Sequence, residues 1–141
     1  MTEPNSTVAQ RLAEVSTALQ QKTTGRTPSS VTVMLGDETL VIALHGVLSP
    51  AERALANTEA GAAVVQDYHR QLFVHSLDSL RENIQQITGV KVCDGTAEVM
   101  PLSGTAVRAL RSGTVVQVFM LGHRVPAQIW SGAERLSTVP D

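Results

Sequence analysis

Proton transfer and metal ligation fall first to histidine, and the chain has four: His45, His69, His75 and His123. Their spacing supports neither chemistry. His69 and His75 are six residues apart, which puts them on different faces of a helix, and there is no His-Glu-x-x-His run. They read as surface or half-buried histidines, and His45, before Gly46, as a satisfied strand-end histidine. Paired carboxylates, Asp37 with Glu38 or Glu52 with Glu59, are the next candidates for acid–base work. Asp37 and Glu38 fall at an exposed hairpin tip, and Glu52 has a structural task in a helix cap. No Gly-x-Ser-x-Gly, phosphate-loop or dinucleotide-binding glycine pattern occurs. Cys93 is the single cysteine, so a disulfide framework is excluded and a cysteine-based zinc site nearly so. In its Val-rich strand it reads as a small buried hydrophobe. Arg26, Arg108 and Arg111 lie in loops, where they could meet an anion, although loop arginines are usually solvated. Trp130, the only tryptophan, either docks a partner or folds back over the domain. No catalytic residue, cofactor or metal site is expected.

The totals narrow the class further. The chain has 141 residues, one domain's length, with 43% apolar and 17% charged residues, the composition of a globular protein. A net charge of -2 argues against binding nucleic acid by neutralising phosphates, and 3% aromatic residues against stacking bases on a sheet. The N-terminus shows no signal-peptide pattern. The longest stretches free of charge, Thr39–Ala51 and Ser112–His123, are short of the ~20 residues needed to span a bilayer. The expectation is a cytoplasmic protein without direct membrane insertion.

The elements that must position any site can be read in order. Residues 1–6 are expected to be a flexible end. Thr7 and Gln10 form a capping box for a helix with Val8, Leu12, Val15 and Leu19 on one stripe, and Gly25 ends it. Val31–Leu35 and Thr39–His45 make a hairpin with a three- or four-residue loop. Leu40, Ile42 and Leu44 face one way; Val41, Ala43 and His45 face the other. Both faces are fairly apolar, so helices are expected on one and a second layer or subunit on the other. Ser49, Pro50 and Glu52 are the N-cap, first position and capping-box partner of a short helix in which Leu55 is expected to pack. Asn57 or Thr58 breaks it or caps the next helix.

Glu59–Thr88 is the longest helix signal. Its apolar residues Val65, Tyr68 and Leu72, then Phe73, Leu77, Leu80, Ile84 and Ile87, follow a helical spacing that is also a short coiled-coil seam. Val90–Met100 reads as one strand bent by a bulge at Asp94-Gly95, with a turn as the alternative, and Thr114–Leu121 as the last strand. Residues 122–141 are read as a flexible tail. The predicted fold is α+β: a four-stranded antiparallel sheet of two hairpins on one long and two shorter helices, in the order α-β-β-α-α-β-β. The seam exceeds what one small sheet must cover, which points to a homodimer.

The run LSPAERALANTEAG (Leu48–Gly61), the long helix carrying Arg70, and ITGVKV (Ile87–Val92) resemble the bacterial MpsC family of sodium-translocating membrane potential-generating systems. The loop Thr24-Gly25-Arg26-Thr27-Pro28 is similar too, although Arg26-Thr27 stand where the family usually has a second glycine or a lysine. The likeness covers about Val8 to Leu121. It implies a soluble accessory or regulatory subunit of a membrane system that moves sodium or takes up inorganic carbon, with no established catalytic residues. The candidate functional surface is Gly25, Arg26, Pro28, Glu52 and Arg70. Gly61 and Leu55 are matched positions with structural explanations. The alternative function is a cytosolic sensor of a small anion or nucleotide.

Overall fold

The structure, a computed structural model, describes residues 7–99, 113–130 and 137–138. Helix α1 (Val8–Thr24) leads into strands β1 (Ser30–Gly36) and β2 (Thr39–His45). Helices α2 (Pro50–Leu55) and α3 (Glu59–Thr88) follow, then strands β3 (Val92–Val99) and β4 (Val115–Leu121). A short helix α4 (Ala127–Trp130) and a two-residue strand β5 (Ser137–Thr138) complete the described chain. The sheet is antiparallel throughout, with strand order β3-β4-β2-β1-β5. The two expected hairpins thus lie side by side and form the four long strands, and β5 adds a short edge beside β1.

Local chemistry accounts for the boundaries. The Thr7–Gln10 capping box starts α1, and Gly25, at φ 79°, closes it with its N–H on the Gln21 carbonyl. Thr58 caps α3 by accepting from the Gly61 N–H, and Gly89 ends it in the same left-handed conformation. Gly36 pairs with Thr39, so the first hairpin turns on Asp37 and Glu38 alone. That turn is tighter than expected because Asp37 adopts φ 53°, which aspartate tolerates better than most residues. The register of β3 on β4 shifts between Val92 and Asp94, placing the predicted bulge at Cys93. The extra residue breaks the alternation, so Cys93 is exposed rather than buried. Arg81 of α3 donates to the Cys93 carbonyl at 3.2 Å and holds the bulge against the helix.

The core lies between the sheet and the pair α1 and α3. Leu40, Ile42 and Leu44 of β2 meet Val31 and Val33 of β1 and Val115 and Phe119 of β4 there, all buried. Leu12 of α1 and Val65, Phe73, Leu80 and Ile84 of α3 close it. Burying a side chain of this size stabilises the fold by about 1.5–3 kcal/mol. The α1 stripe is rotated slightly from its expected position: Val8, Leu12 and Ser16 are buried, while Val15 is half-buried. On α3, Leu77 and Ile87 are half-buried against the core and Tyr68 is exposed, so the apparent seam is largely covered within the chain.

The opposite face of the sheet carries Thr32, Met34, Val41, Ala43, Val116, Val118 and Met120, with Met34 49% and Met120 45% exposed. At its end His45 is clasped by Thr32 at 3.0 Å and Thr114 at 3.2 Å, the satisfied strand-end histidine expected. Past β4, Arg124 pairs with Asp37 at 2.7 Å, Val125 is buried and Trp130 packs on the core. Of the two placements open for Trp130, the structure shows the packed one. Arg108 and Arg111 lie outside the described residues.

Candidate functional site

Three elements meet around a groove of about 360 Å³. The end of α1 and its loop contribute Thr24 and Arg26, α2 contributes Ser49, Glu52 and Leu55, and α3 contributes Val64, Val65 and Tyr68. The approach of α2 to α3 depends on Gly61, since a Cβ there would overlap the Leu55 carbonyl oxygen. At this contact Leu55 is 48% exposed, not packed as expected, and Ala56 takes the buried position. Val64 and Tyr68, four apart on one face of α3, are 58% and 47% exposed. Three large apolar side chains thus border one depression, where scattered ones would be unremarkable.

Glu52 sits at the inner wall with both carboxylate oxygens engaged. Oε1 accepts the Ser49 N–H at 2.8 Å, the return arm of the α2 capping box. Oε2 lies 2.8 Å from Nε2 of His69, which is only 6% exposed. The cap residue therefore also holds a buried histidine, tying α2 to α3. His69 was read from spacing as a surface or half-buried histidine; the structure corrects this. Its position four residues after Val65 and four before Phe73 was the available signal, since all three share the buried stripe of α3.

Behind His69 a second, smaller cavity of about 30 Å³ lies between α1, α3 and the sheet. Ser16 and Gln117 line it, and their Oγ and Oε1 atoms are buried with no hydrogen-bond partner. The space suffices for a bound water, the usual means of satisfying such groups. Neither residue is recognisable from the sequence, because each occupies a position in an otherwise apolar pattern. Glu52 and His69 thus form a polar link from the outer groove towards the interior.

The expected surface is only partly brought together. Arg26 and Glu52 line the groove, Gly25 caps α1 beside it, and half-buried Pro28 lies in the same loop. Arg70 is not among the lining residues; it pairs with Asp67 at 3.6 Å on the solvated side of α3. Glu59 starts α3 and is exposed, so it forms no coupled pair with the inward-turned Glu52. His75 and His123 are exposed, and Asp37 of the hairpin tip is taken by Arg124. Among the described residues no cluster of three His, Cys, Asp or Glu side chains could hold a metal.

Residues 5–120 match the family model described as Na+-translocating membrane potential-generating system (MpsC). The chain belongs to the MpsC family. The match runs from the start of α1 into β4, so the groove, the Glu52–His69 pair and the inner cavity all lie within the MpsC region. No curated protein and no solved structure matches the chain.

Proposed function

We propose that this protein is a soluble, non-enzymatic accessory or regulatory subunit of a membrane system that translocates sodium, working from the cytoplasmic side through a protein partner. The observation that carries the reading is the MpsC match across residues 5–120. No helix among the described residues is long and apolar enough to cross a membrane, so the proposal routes contact with the system through a surface. Uptake of inorganic carbon by the same system is part of the proposal, as is a homodimer joined through the open sheet face. That face has an uncharged central patch of Met34, Val41, Val118 and Met120 on neighbouring strands. Neither nucleic acid nor a cofactor has a place in this reading.

The test is physiological. Cells lacking the protein are expected to lose the sodium-dependent part of their membrane potential, measured with a potential-sensitive dye, and to regain it with the wild-type chain. An unchanged sodium response contradicts the proposal.

A second reading, a sensor of a small anion or nucleotide, is favoured by Arg26. Arg26 lines the groove, and its guanidinium has no carboxylate partner among the described residues.

A further inference from the structure

We infer that the groove between the α1 loop, α2 and α3 binds a small amphipathic organic anion: one carboxylate-type head held by Arg26 on a short apolar body. The inference deepens the sensor reading and rests on it, by naming the class of ligand. It begins with the charge inside the groove. Two ionisable side chains line it, Arg26 and Glu52, together with the Tyr68 phenol. Glu52 is turned inward, with its oxygens on the Ser49 N–H and on His69. Each of its oxygens thus already has a protein partner, and its charge is directed at the Ser49 N–H and His69. Arg26 has no carboxylate partner among the described residues, and neither does the Tyr68 hydroxyl have a hydrogen-bond partner there. The groups without a protein partner thus supply a fork of guanidinium N–H donors and a phenol O–H that can also donate, which suit a carboxylate or a similar oxyanion.

The remaining wall decides the rest of the ligand. Leu55, Val64 and Val65 present hydrocarbon, so an ion without an apolar part would leave that surface wet and gain little from it. Apolar walls with a few convergent polar groups are the usual composition of a small-molecule site, and about 360 Å³ is within the usual size range. A nucleotide's phosphates would find no second cation among the groove's lining residues. Bicarbonate and inorganic phosphate satisfy Arg26 but not the hydrocarbon. The Tyr68 ring also packs edge-on against His69, with ring centroids 5.3 Å apart, so this wall of the groove rests on the Glu52–His69 pair.

The purified full chain is titrated with hexanoate and octanoate, and separately with bicarbonate, inorganic phosphate, AMP and vesicles of an anionic phospholipid. Calorimetry reads binding, thermal unfolding reads stabilisation, and sedimentation reads the vesicles. The expected result is saturable binding of a free carboxylate that raises the unfolding temperature. Arg26→Gln weakens it about tenfold, the usual size of a charge-assisted contact. Val64→Glu, at an exposed position, abolishes it without unfolding the chain, and Val74→Glu, exposed on α3 outside the groove lining, leaves it intact. Carboxylate binding indifferent to Arg26→Gln and Val64→Glu overturns the site. A response to bicarbonate, phosphate or AMP but not to carboxylates overturns the ligand class while the sensor reading stands. Sedimentation with vesicles and no response to free acid assigns the anionic head to lipid and overturns the free-ligand assignment. No response to any probe overturns both the inference and the sensor reading.

Discussion

Glu52 occupies two roles that are usually filled by different residues. One carboxylate oxygen completes the capping box of α2 and the other holds the buried imidazole of His69. Removing it strands a buried polar ring and opens a helix end together, so Glu52→Ala is expected to cost about 2 kcal/mol. Glu52→Gln, which keeps an oxygen for the cap and an amide for the ring, is expected to lose less than half of that. Urea denaturation of the two variants checks the difference. Gly61 makes an equally specific prediction with an inverted sign. Glycine-to-alanine inside a helix normally gains about 1 kcal/mol. Here the added methyl meets the Leu55 carbonyl, so Gly61→Ala is expected to destabilise by about 1–3 kcal/mol in the same measurement. The cap was legible in the sequence because Ser49-Pro50-Ala51-Glu52 is a local pattern. The burial of His69 had a signal in its spacing, but its pairing with Glu52 had none, because the two lie seventeen residues apart and only the packing of α2 on α3 brings them together.

At the scale of elements, the long helix shows how far periodicity carries an argument. The spacing of Phe73, Leu80 and Ile84 located the face that meets the sheet, and all three are buried. Tyr68 fits the same spacing and yet is exposed, because the first turns of α3 are covered by α2, α1 and the loop after α1 only as far as Val65 and His69. Leu55 failed for a related reason: α2 is only six residues long, too short for a pattern to say which side is inward. Strand alternation was more reliable, since period two leaves only two choices, and its one failure, Cys93, sits at the bulge. Leu80→Ala and Ile84→Ala are each expected to cost about 2–5 kcal/mol, whereas Val74→Ala, exposed on the same helix, is expected to stay within about 0.5 kcal/mol. Thermal and chemical denaturation of the three variants side by side test the assignment of the face.

Over the whole molecule, the sheet has one face sealed by α1 and α3 and one that presents an uncharged central row of Met34, Val41 and Val118. The strand pattern showed both faces to be apolar but not what covers the second, because a partner leaves no periodicity of its own. The homodimer proposal predicts that Met34→Lys with Met120→Lys converts a dimer to a monomer in sedimentation velocity while leaving the fold intact, since both side chains are about half exposed. A single species of unchanged mass contradicts it. The functional proposal makes the most direct demand on the intact cell. Tagged protein, lightly cross-linked in native cells, is recovered separately from membrane and soluble fractions and its companions are identified by mass spectrometry. An accessory subunit is expected to bring down one reproducible integral membrane protein of a sodium-translocating system, at levels that fall when the protein is left untagged or the cross-linker omitted. Recovery only as a homodimer from the soluble fraction, with no membrane protein enriched, contradicts the account.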